Sequence, residues 1–460
     1  MEHDNRLDLF GQLPSLNLYT QLSLCYPVAD ESLYPAITDK LAAGLARLSD
    51  DIPWIAGQIT NSSPEGPAHY RIVPFEAKPK LVVRDLRNTS SVATMATLQQ
   101  RRFPCSLLHE TNIASHTTFQ QSIAGSGPEP SVVFAVQANL ISGGIILTFV
   151  AHHQAMDLVA QGRIMHLLSR VCNGGSLASE DIATANLARY NILPLLPDSD
   201  SPSPDPEDHS TITTSAQTLN SNATEALPPS CVWSCFSFSK PSLTSLKTLA
   251  MESRAPTASY ISTDDALTAL IWQSITRSRV PRLDGTTKTT MTRAVDMRRY
   301  FGISPDYPGM MQTLSFQNST IQELTTGEQM PLGLIASQLR LAVQPDSKTS
   351  SELIHKARAL AATIARKSGE KVSYTADINL STDVMISSWA SPDSYSLDFG
   401  LGLGLPEAVR RPSFTPVESL VYFLPKRLDG EIVVMLCLRE EDMDRLREDG
   451  EFQKFADYIG

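Results

Sequence analysis

The sequence predicts an α/β fold with mixed sheets of the α+β kind, built as two lobes of similar size. Its 460 residues correspond to two or three domains of ordinary length. Strand-like and helix-like runs alternate without a strict βαβ rhythm, which favours mixed sheets over a doubly wound parallel sheet. One stretch rich in Pro, Ser and Asp divides the chain. We therefore expect an N-terminal lobe (1–193), a crossover linker (194–230) and a C-terminal lobe (231–460).

Each predicted element follows from a local pattern. Polar and apolar residues alternate over 19–25 as in a half-buried strand, and helical spacing of apolar residues begins at 34. Pro53 to Gly57 predicts a turn into a further strand, and a Ser-Gly-Gly turn joins two β-rich runs. The runs assigned as strands are 19–25, 132–140, 144–151 and 233–238, and those assigned as helices are 34–48, 158–172, 243–250 and 263–277.

Composition excludes several classes of function. The net charge of −11 disfavours binding to phosphate backbones or anionic membranes, so we expect neither nucleic acid nor a membrane as a partner. No stretch is both long and apolar enough for a membrane span, and we expect no signal peptide. The six cysteines are scattered, which indicates reduced thiols in a cytoplasmic protein.

The residues best placed for chemistry are His153 and Asp157, four apart between a β-rich run and a helical one. A strand-to-helix junction exposes side chains at the mouth of a sheet, and an imidazole there suits a general base that takes a proton from an alcohol. A purely structural histidine is the competing interpretation. Zinc binding by His152, His153 and Asp157 is disfavoured, because adjacent histidines on an extended segment point to opposite sides and no fourth ligand lies nearby.

Two other hypotheses about the chemistry have weaker support in the sequence. Ser126 lies between glycines in a loop-like context, and no Gly-x-Ser-x-Gly elbow occurs, so a covalent acyl-enzyme is disfavoured. The glycines at 400, 402 and 404 do not open a helix after a strand, which argues against a dinucleotide site. We expect instead that they allow close packing beside Asp398.

Two motifs together resemble a known family. His153-Gln-Ala-Met-Asp157 and Asp398-Phe-Gly-Leu-Gly402 are similar to the paired signature of BAHD-type acyltransferases, CoA-dependent enzymes of two chloramphenicol-acetyltransferase-like lobes. Leu158 and Leu401 depart from the broad pattern. Both departures, and segments along nearly the whole chain, resemble the fungal trichothecene 3-O-acetyltransferase branch of that family.

The resemblance implies a reaction and a set of roles. His153 would deprotonate the hydroxyl of a small-molecule acceptor, which then attacks acetyl-CoA without an acyl-enzyme or a metal. Asp157 would turn away from the substrate and pair with Arg298. Asp398, with Gly400 and Gly402, would support the site structurally. The enzyme would act as a monomer.

The resemblance also suggests which residues line the two ends of a channel between the lobes. Ser387 and Trp389 would lie at the acceptor end, although a core tryptophan is an equally good interpretation. Ser262 and Thr263 would approach the pantetheine arm of acetyl-CoA, although an N-cap explains them without a ligand.

The sequence leaves more than one candidate for the acceptor. A trichothecene-type sesquiterpenoid acetylated at its C3 hydroxyl is the leading candidate, and an alkaloid or polyketide alcohol or an amine is the alternative. A non-catalytic homologue that binds CoA or a metabolite is a third hypothesis, against which the presence of both His153 and Asp157 argues. A condensation domain resembles only the first motif.

Overall fold

The computed structural model describes residues 5–63, 69–120, 130–193, 195, 229–326, 330–345, 347–366 and 378–460. Most of the expected linker, 194–230, and Ser126 lie outside the described residues. Within these ranges, no helix is long and apolar enough to cross a membrane.

The strands, in chain order, are β1 (Tyr19–Pro27), β2 (Gln58–Asn61), β3 (Tyr70–Val73), β4 (Lys80–Asp85), β5 (Phe134–Ile141), β6 (Gly144–His152), β7 (Cys231–Phe238), β8 (Lys288–Asp296), β9 (Gln312–Thr320), β10 (Val384–Ser388), β11 (Ala408–Arg410), β12 (Leu420–Phe423), β13 (Ile432–Arg439) and β14 (Asp457–Tyr458).

The helices are α1 (Tyr34–Asp51), α2 (Met95–Gln100), α3 (Glu110–Ile113), α4 (Leu158–Cys172), α5 (Ser179–Ala185), α6 (Lys240–Glu252), α7 (Thr263–Arg279), α8 (Arg298–Phe301), α9 (Ile321–Thr325), α10 (Leu332–Leu341), α11 (Lys348–Arg366), α12 (Glu440–Glu448) and α13 (Gly450–Gln453). Short 3₁₀ turns include Phe10–Gln12, Pro14–Leu16 and Pro53–Ala56.

The sheet of the N-terminal lobe has the strand order β11-β1-β6-β5-β4. Its neighbours are antiparallel except for β4 and β5, which run parallel. Alternate residues of β1 and β6, such as Leu22 and Phe149, join one apolar core with Leu45 of α1 and Leu168 of α4. The other face carries polar side chains, including Gln21, which contacts the segment around α3. β6 is the central strand of this sheet. Its neighbours therefore fix the position of its last residue and of the turn that follows.

The sheet of the C-terminal lobe has the order β14-β7-β13-β12-β10-β8-β9. β10 runs parallel to β8 and β12, and the remaining neighbours are antiparallel. Helix α7 is buried along most of its length, and Trp272 on it is fully buried in the core of this lobe. A sheet that mixes both directions in each lobe confirms the predicted fold class.

One strand departs from the division by sequence. β11 lies in the 231–460 range, yet it pairs with β1, so that Ser23 faces Arg410 in the sheet of the other lobe. The segment that follows Asp398 therefore crosses to the N-terminal lobe. This crossing brings Arg411 to Thr118 and within electrostatic reach of His153, a placement that no local sequence pattern predicts.

Candidate active site

The turn over residues 153–157 connects β6 to α4 and carries the predicted base. The N–H of His153 donates to the carbonyl oxygen of Leu18 at 2.8 Å, which ties the start of the turn to the residue before β1. Asp157 is the N-cap of α4, where its Oδ1 accepts from the N–H of Ala160 at 2.9 Å. The strand-to-helix junction predicted here is present, and hydrogen bonds hold it at both ends.

His153 has the tautomer that a general base requires. Its Nδ1 lies 3.3 Å from the carbonyl oxygen of Met156. Because a carbonyl oxygen only accepts, Nδ1 carries the proton and the lone pair stays on Nε2. The residue is partly exposed, so solvent reaches this part of the chain. Nε2 is therefore available to take a proton from a bound hydroxyl.

The surroundings of His153 lower its pKa below the ordinary value of 6.5. Burial is the largest cause, because it disfavours the charged imidazolium. The Met156 carbonyl and the Asp157 carboxylate raise the pKa, and the Arg411 guanidinium lowers it. The net lowering keeps the ring neutral at pH 7, the state from which it accepts a proton.

His152 and His153 have separate surroundings. The ring of His152 is fully buried and meets Tyr19 edge-on, with 5.0 Å between the ring centroids. Its two ring nitrogens have no hydrogen-bond partner among the described residues, and burial lowers its pKa to about 3. In the described part of the chain, no group of three or more His, Cys, Asp or Glu side chains is placed to hold a metal ion.

Asp157 and Arg298 form a two-pronged ion pair between the lobes. Nη1 lies 2.9 Å from Oδ2, and Nη2 lies 3.1 Å from Oδ1. Both side chains are buried, and the N–H of Met311 donates to the same carboxylate at 2.9 Å. Arg298 also donates to the carbonyl oxygens of Tyr307 and Gly309. The pair that we predicted is present, and it turns the carboxylate toward Arg298.

A second buried cluster braces the same turn, and the sequence did not predict it. Arg189 donates through Nη1 to Asp8 Oδ2 at 3.1 Å and to the carbonyl oxygen of Ala155 at 2.8 Å. The hydroxyl of Tyr307 donates to Asp8 Oδ1. Burial raises the pKa of Asp8, and the charge of Arg189 opposes that rise. Since Asp8 and Arg189 are 181 residues apart, no spacing pattern pointed to them.

The N-terminal segment packs directly on the 153–157 turn. At Gly11, a Cβ would collide with the carbonyl oxygen of Gln154. Gln154 in turn donates through Nε2 to the carbonyl oxygen of Leu13 at 3.3 Å. Glycine at position 11 is therefore required by the close approach of two backbone segments.

The 398–402 loop supports α4 from outside the turn. The backbone oxygen of Asp398 accepts from Ser169 Oγ at 2.6 Å and from the side-chain amide of Asn173. Its exposed carboxylate accepts from the N–H of Gly400 at 2.7 Å. A Cβ at Gly400 would collide with Asn173, as close packing requires. At Gly402 that expectation is wrong: a Cβ there meets open space, and glycine is needed for the φ of +77°.

Ser387 and Trp389 lie at the end of β10. The indole of Trp389 is 2 % exposed, and its Nε1 donates to Ser387 Oγ at 2.9 Å. Its ring packs against Tyr422, with 4.8 Å between centroids, and lies beside the guanidinium of Arg411 at 5.3 Å. Trp389 is thus a buried aromatic residue whose neighbours include a charged one. Its contact with a substrate stays a prediction.

Ser262 and Thr263 lie at the N-terminus of α7. Ser262 is the N-cap in a reciprocal capping box with Asp265, and its Oγ also accepts from Arg340 Nη2 at 2.8 Å. Ser388 Oγ donates to the neighbouring carboxylate of Asp264, which places the end of β10 beside this helix start. The hydroxyl of Ser262 is engaged within the protein, so a role of this segment toward CoA stays a prediction.

Two family models match the chain. The Transferase family model matches residues 106–453. The model for the trichothecene 3-O-acetyltransferase-like N-terminal domain matches residues 18–172. The first match covers well over half of the chain and includes β6, the 153–157 turn and the 398–402 loop.

Full-length relatives and solved structures agree with these models. The chain is 43% identical to O-acetyltransferase dmxR13 of Cryptosporiopsis sp., with 99% of this chain and 98% of that protein covered. It is 42% identical to trichothecene 3-O-acetyltransferase TRI101 of Fusarium sporotrichioides, with 99% and 97% covered. The crystal structure of F. graminearum TRI101 complexed with coenzyme A and T-2 mycotoxin matches at a TM-score of 0.90 and 41% identity, covering 99% of both chains. The chain therefore belongs to the Transferase family, as the resemblance to BAHD-type acyltransferases predicted, and is an acyltransferase with a trichothecene 3-O-acetyltransferase-like N-terminal domain.

Proposed function

We propose that the protein transfers the acetyl group of acetyl-CoA to a hydroxyl of a fungal secondary metabolite, with the C3 hydroxyl of a trichothecene-type sesquiterpenoid as the leading acceptor. One observation carries the proposal. His153 Nδ1 contacts the Met156 carbonyl oxygen, its Nε2 has no hydrogen-bond partner among the described residues, and the turn that carries the ring is held from both lobes. TRI101, complexed in crystals with coenzyme A and T-2 or deoxynivalenol, supports the choice of co-substrate and acceptor.

The proposed reaction uses one base and no covalent enzyme intermediate. His153 Nε2 takes the proton of the acceptor hydroxyl as its oxygen attacks the thioester carbonyl. The tetrahedral oxyanion then collapses, the carbon–sulfur bond breaks, and the imidazolium returns the proton to the CoA thiolate. The products are the acetate ester and CoA, and the enzyme regains its neutral histidine.

Asp157 acts in this proposal as a positioning residue. Its carboxylate is occupied by Arg298, by the N–H of Met311 and by the N-terminus of α4. These partners leave it no free oxygen to contact the acceptor, but they fix the turn that carries His153. We propose a monomeric enzyme, whose base and supports would all come from one chain.

The lowered pKa of His153 predicts the pH dependence. Since burial disfavours the imidazolium, the neutral base persists below the ordinary histidine pKa of 6.5. We expect kcat/KM to be flat around neutral pH and to fall only as the pH drops through an apparent pKa below 6.5. A pH profile of kcat/KM measures this value. An acidic limb centred above 6.5 contradicts the assignment.

A second candidate is an acceptor outside the trichothecenes, such as a polyketide or alkaloid alcohol or an amine. Relatives whose names specify no trichothecene also match, namely O-acetyltransferase dmxR13 at 43% identity and eremophilane O-acetyltransferases of Penicillium at 28% identity.

An acceptor screen tests the proposal. The protein is incubated with acetyl-CoA labelled in the acetyl group and a panel of trichothecene alcohols, polyketide alcohols, alkaloid alcohols and amines, and both CoA release and labelled product are measured. Turnover strongest with trichothecenes that have a free C3 hydroxyl supports the first acceptor. Turnover only with the other compounds supports the second. No turnover with any compound, by protein that is folded by circular dichroism, contradicts the enzymatic proposal.

We place this reaction in the cytoplasm. All six cysteines lie in the described part of the chain, and none of them forms a disulfide. Unpaired thiols are typical of proteins in a reducing compartment.

A further inference from the structure

Arg411 is a buried cation with unused hydrogen-bond donors. It follows β11 and is 1 % exposed. Nη2 donates to Thr118 Oγ1 at 3.1 Å, whereas Nε and Nη1 have no partner among the described residues. The preceding residue is a useful contrast, because the guanidinium of Arg410 donates to Phe103, Tyr395 and other groups through all three nitrogens.

Aromatic rings enclose the Arg411 guanidinium without satisfying those donors. Its central carbon lies 4.3 Å from the ring centroid of Phe414, 4.7 Å from that of Tyr422 and 5.3 Å from that of Trp389. Such contacts stabilise the positive charge over the ring faces. They exclude water from it, which makes each unpaired N–H more costly.

The anchor of Arg411 connects it to the base. Thr118 Oγ1 donates to buried Glu110 at 2.7 Å, which fixes the hydroxyl that Arg411 uses. The backbone oxygen of Thr118 accepts from Tyr19 N–H at 2.9 Å, directly after Leu18, whose oxygen accepts from His153 N–H. Thr118 and the adjacent residues Tyr19 and Leu18 thus connect Arg411 to His153. The charge of Arg411 also lowers the pKa of His153. The cation therefore lies within electrostatic reach of the reacting atoms.

An intermediate of the proposed reaction offers a hydrogen-bond acceptor for the unpaired donors of Arg411. The N–H groups of a guanidinium are strong hydrogen-bond donors to an oxygen that carries negative charge. In the reaction proposed above, such charge arises next to His153 when the thioester carbonyl oxygen becomes an oxyanion. Donors placed in a site from which water is excluded stabilise that charge strongly.

We propose that Arg411 is a catalytic residue that donates one of its unpaired N–H groups, on Nε or on Nη1, to the oxyanion of the tetrahedral intermediate. This inference rests on the proposed function. The negative charge that forms on the carbonyl oxygen as the acceptor oxygen bonds to carbon is matched by the fixed positive charge of Arg411. When the carbon–sulfur bond breaks, the electron pair leaves with sulfur and the carbonyl oxygen becomes neutral again.

Arg411→Met tests the proposal, because it keeps a long side chain among the three aromatic rings and removes the charge and the donors. We expect kcat to fall by about a hundred- to a thousand-fold with little change in the acceptor KM, as on removal of an oxyanion donor. Arg411→Lys keeps the charge without the guanidinium donors, and we expect an intermediate loss of kcat. The assays use labelled acetyl-CoA and the acceptor that the parent enzyme turns over fastest.

The pH profile tests whether the charge of Arg411 acts on His153, as a position beside the reacting atoms requires. The charged and titratable groups near His153 and Arg411 are Asp157, His152, Glu110 and Tyr422. Removing the Arg411 charge from this set raises the pKa of His153, so the acidic limb of kcat/KM shifts to higher pH in Arg411→Met and stays in place in Arg411→Lys.

Arg410→Met is the matched control, since it removes a buried, fully paired arginine next in the chain. We expect it to lower Tm and to leave the acidic limb of the folded enzyme in place. The inference is overturned if folded Arg411→Met keeps kcat within about three-fold of the parent, or if only the acceptor KM rises. If Arg411→Met does not fold, Arg411→Lys with parental kcat overturns it instead. Absence of turnover by the parent enzyme overturns the proposed function, and this inference with it.

Discussion

We expect the replacement of His153 with alanine to lower kcat by about a hundred- to ten-thousand-fold, because in the proposed mechanism His153 takes the proton of the acceptor hydroxyl. Nδ1 of the native ring is bound to the Met156 carbonyl, and Nε2 is the free basic atom. The side chain is only partly buried and makes no ion pair among the described contacts, so the loss of the ring has little effect on folding. The measurement is the rate of acetyl transfer at saturating acetyl-CoA and acceptor.

His166→Ala is the control for this experiment. His166 lies on α4, exposed, so its removal changes the number of histidines without touching the turn. We expect parental kcat in that variant and parental Tm in both. If His153→Ala kept more than about a tenth of the parental kcat, His153 would not be the base and the mechanism would need another proton acceptor.

The local part of the site was predictable from sequence. The β-rich run, the polar turn and the helix around His153 and Asp157 are adjacent in the chain, so residue patterns over about 30 positions specify the junction. The partner Arg298 came from the family resemblance, not from spacing, because it lies 141 residues from Asp157.

Contacts between residues that are far apart in the chain could not be predicted from the sequence. Arg411 meets Thr118 across 293 residues, and it does so only because β11 joins the sheet of the other lobe. Asp8 and Arg189 meet across 181 residues. In each case, the residue type alone is compatible with a solvated surface charge, and burial is set by which strands pair.

The glycines at 400 and 402 show a third limit of prediction from the sequence. The sequence identifies positions where a side chain is unfavourable, but it does not tell close packing from a left-handed backbone. Gly400 has both properties, since its Cβ would meet Asn173 and its φ is +60°. Gly402 has only the second, at +77°. The motif was recognisable, while the physical reason for each glycine required the structure.

The second large effect concerns stability. Asp157→Asn keeps the N-cap of α4, because asparagine caps a helix as well as aspartate does. It removes the charge that faces Arg298, which is 1 % exposed. Breaking one side of a buried ion pair costs about 3–5 kcal/mol, since the remaining charge stays in a site that excludes water. Arg298 retains Asp296 Oδ1 at 2.8 Å, but that carboxylate is 41% exposed and screened by solvent.

Urea unfolding of the parent, Asp157→Asn and a control measures this effect. The control is Asp85→Asn, which breaks an ion pair on the surface whose partners are 37% and 48% exposed. We expect the unfolding midpoint of the control to match that of the parent, and the midpoint of Asp157→Asn to fall clearly. Equal midpoints for all three proteins would mean that the buried pair contributes nothing to stability.

A double variant separates the loss of the pair from the burial of an unpaired charge. Asp157→Asn with Arg298→Met leaves no buried charge without a partner at this position, since Asp296 is 41% exposed, so we expect it to recover most of the stability that Asp157→Asn loses. We expect the kcat of the double variant to be lower than that of the parent, because methionine cannot donate to the carbonyl oxygens of Tyr307 and Gly309, and the turn that carries His153 is no longer tied to the second lobe. If the double variant recovers stability but not kcat, the Asp157–Arg298 pair is needed to position the base. Recovery of both would mean that apolar packing between the lobes holds the turn just as well.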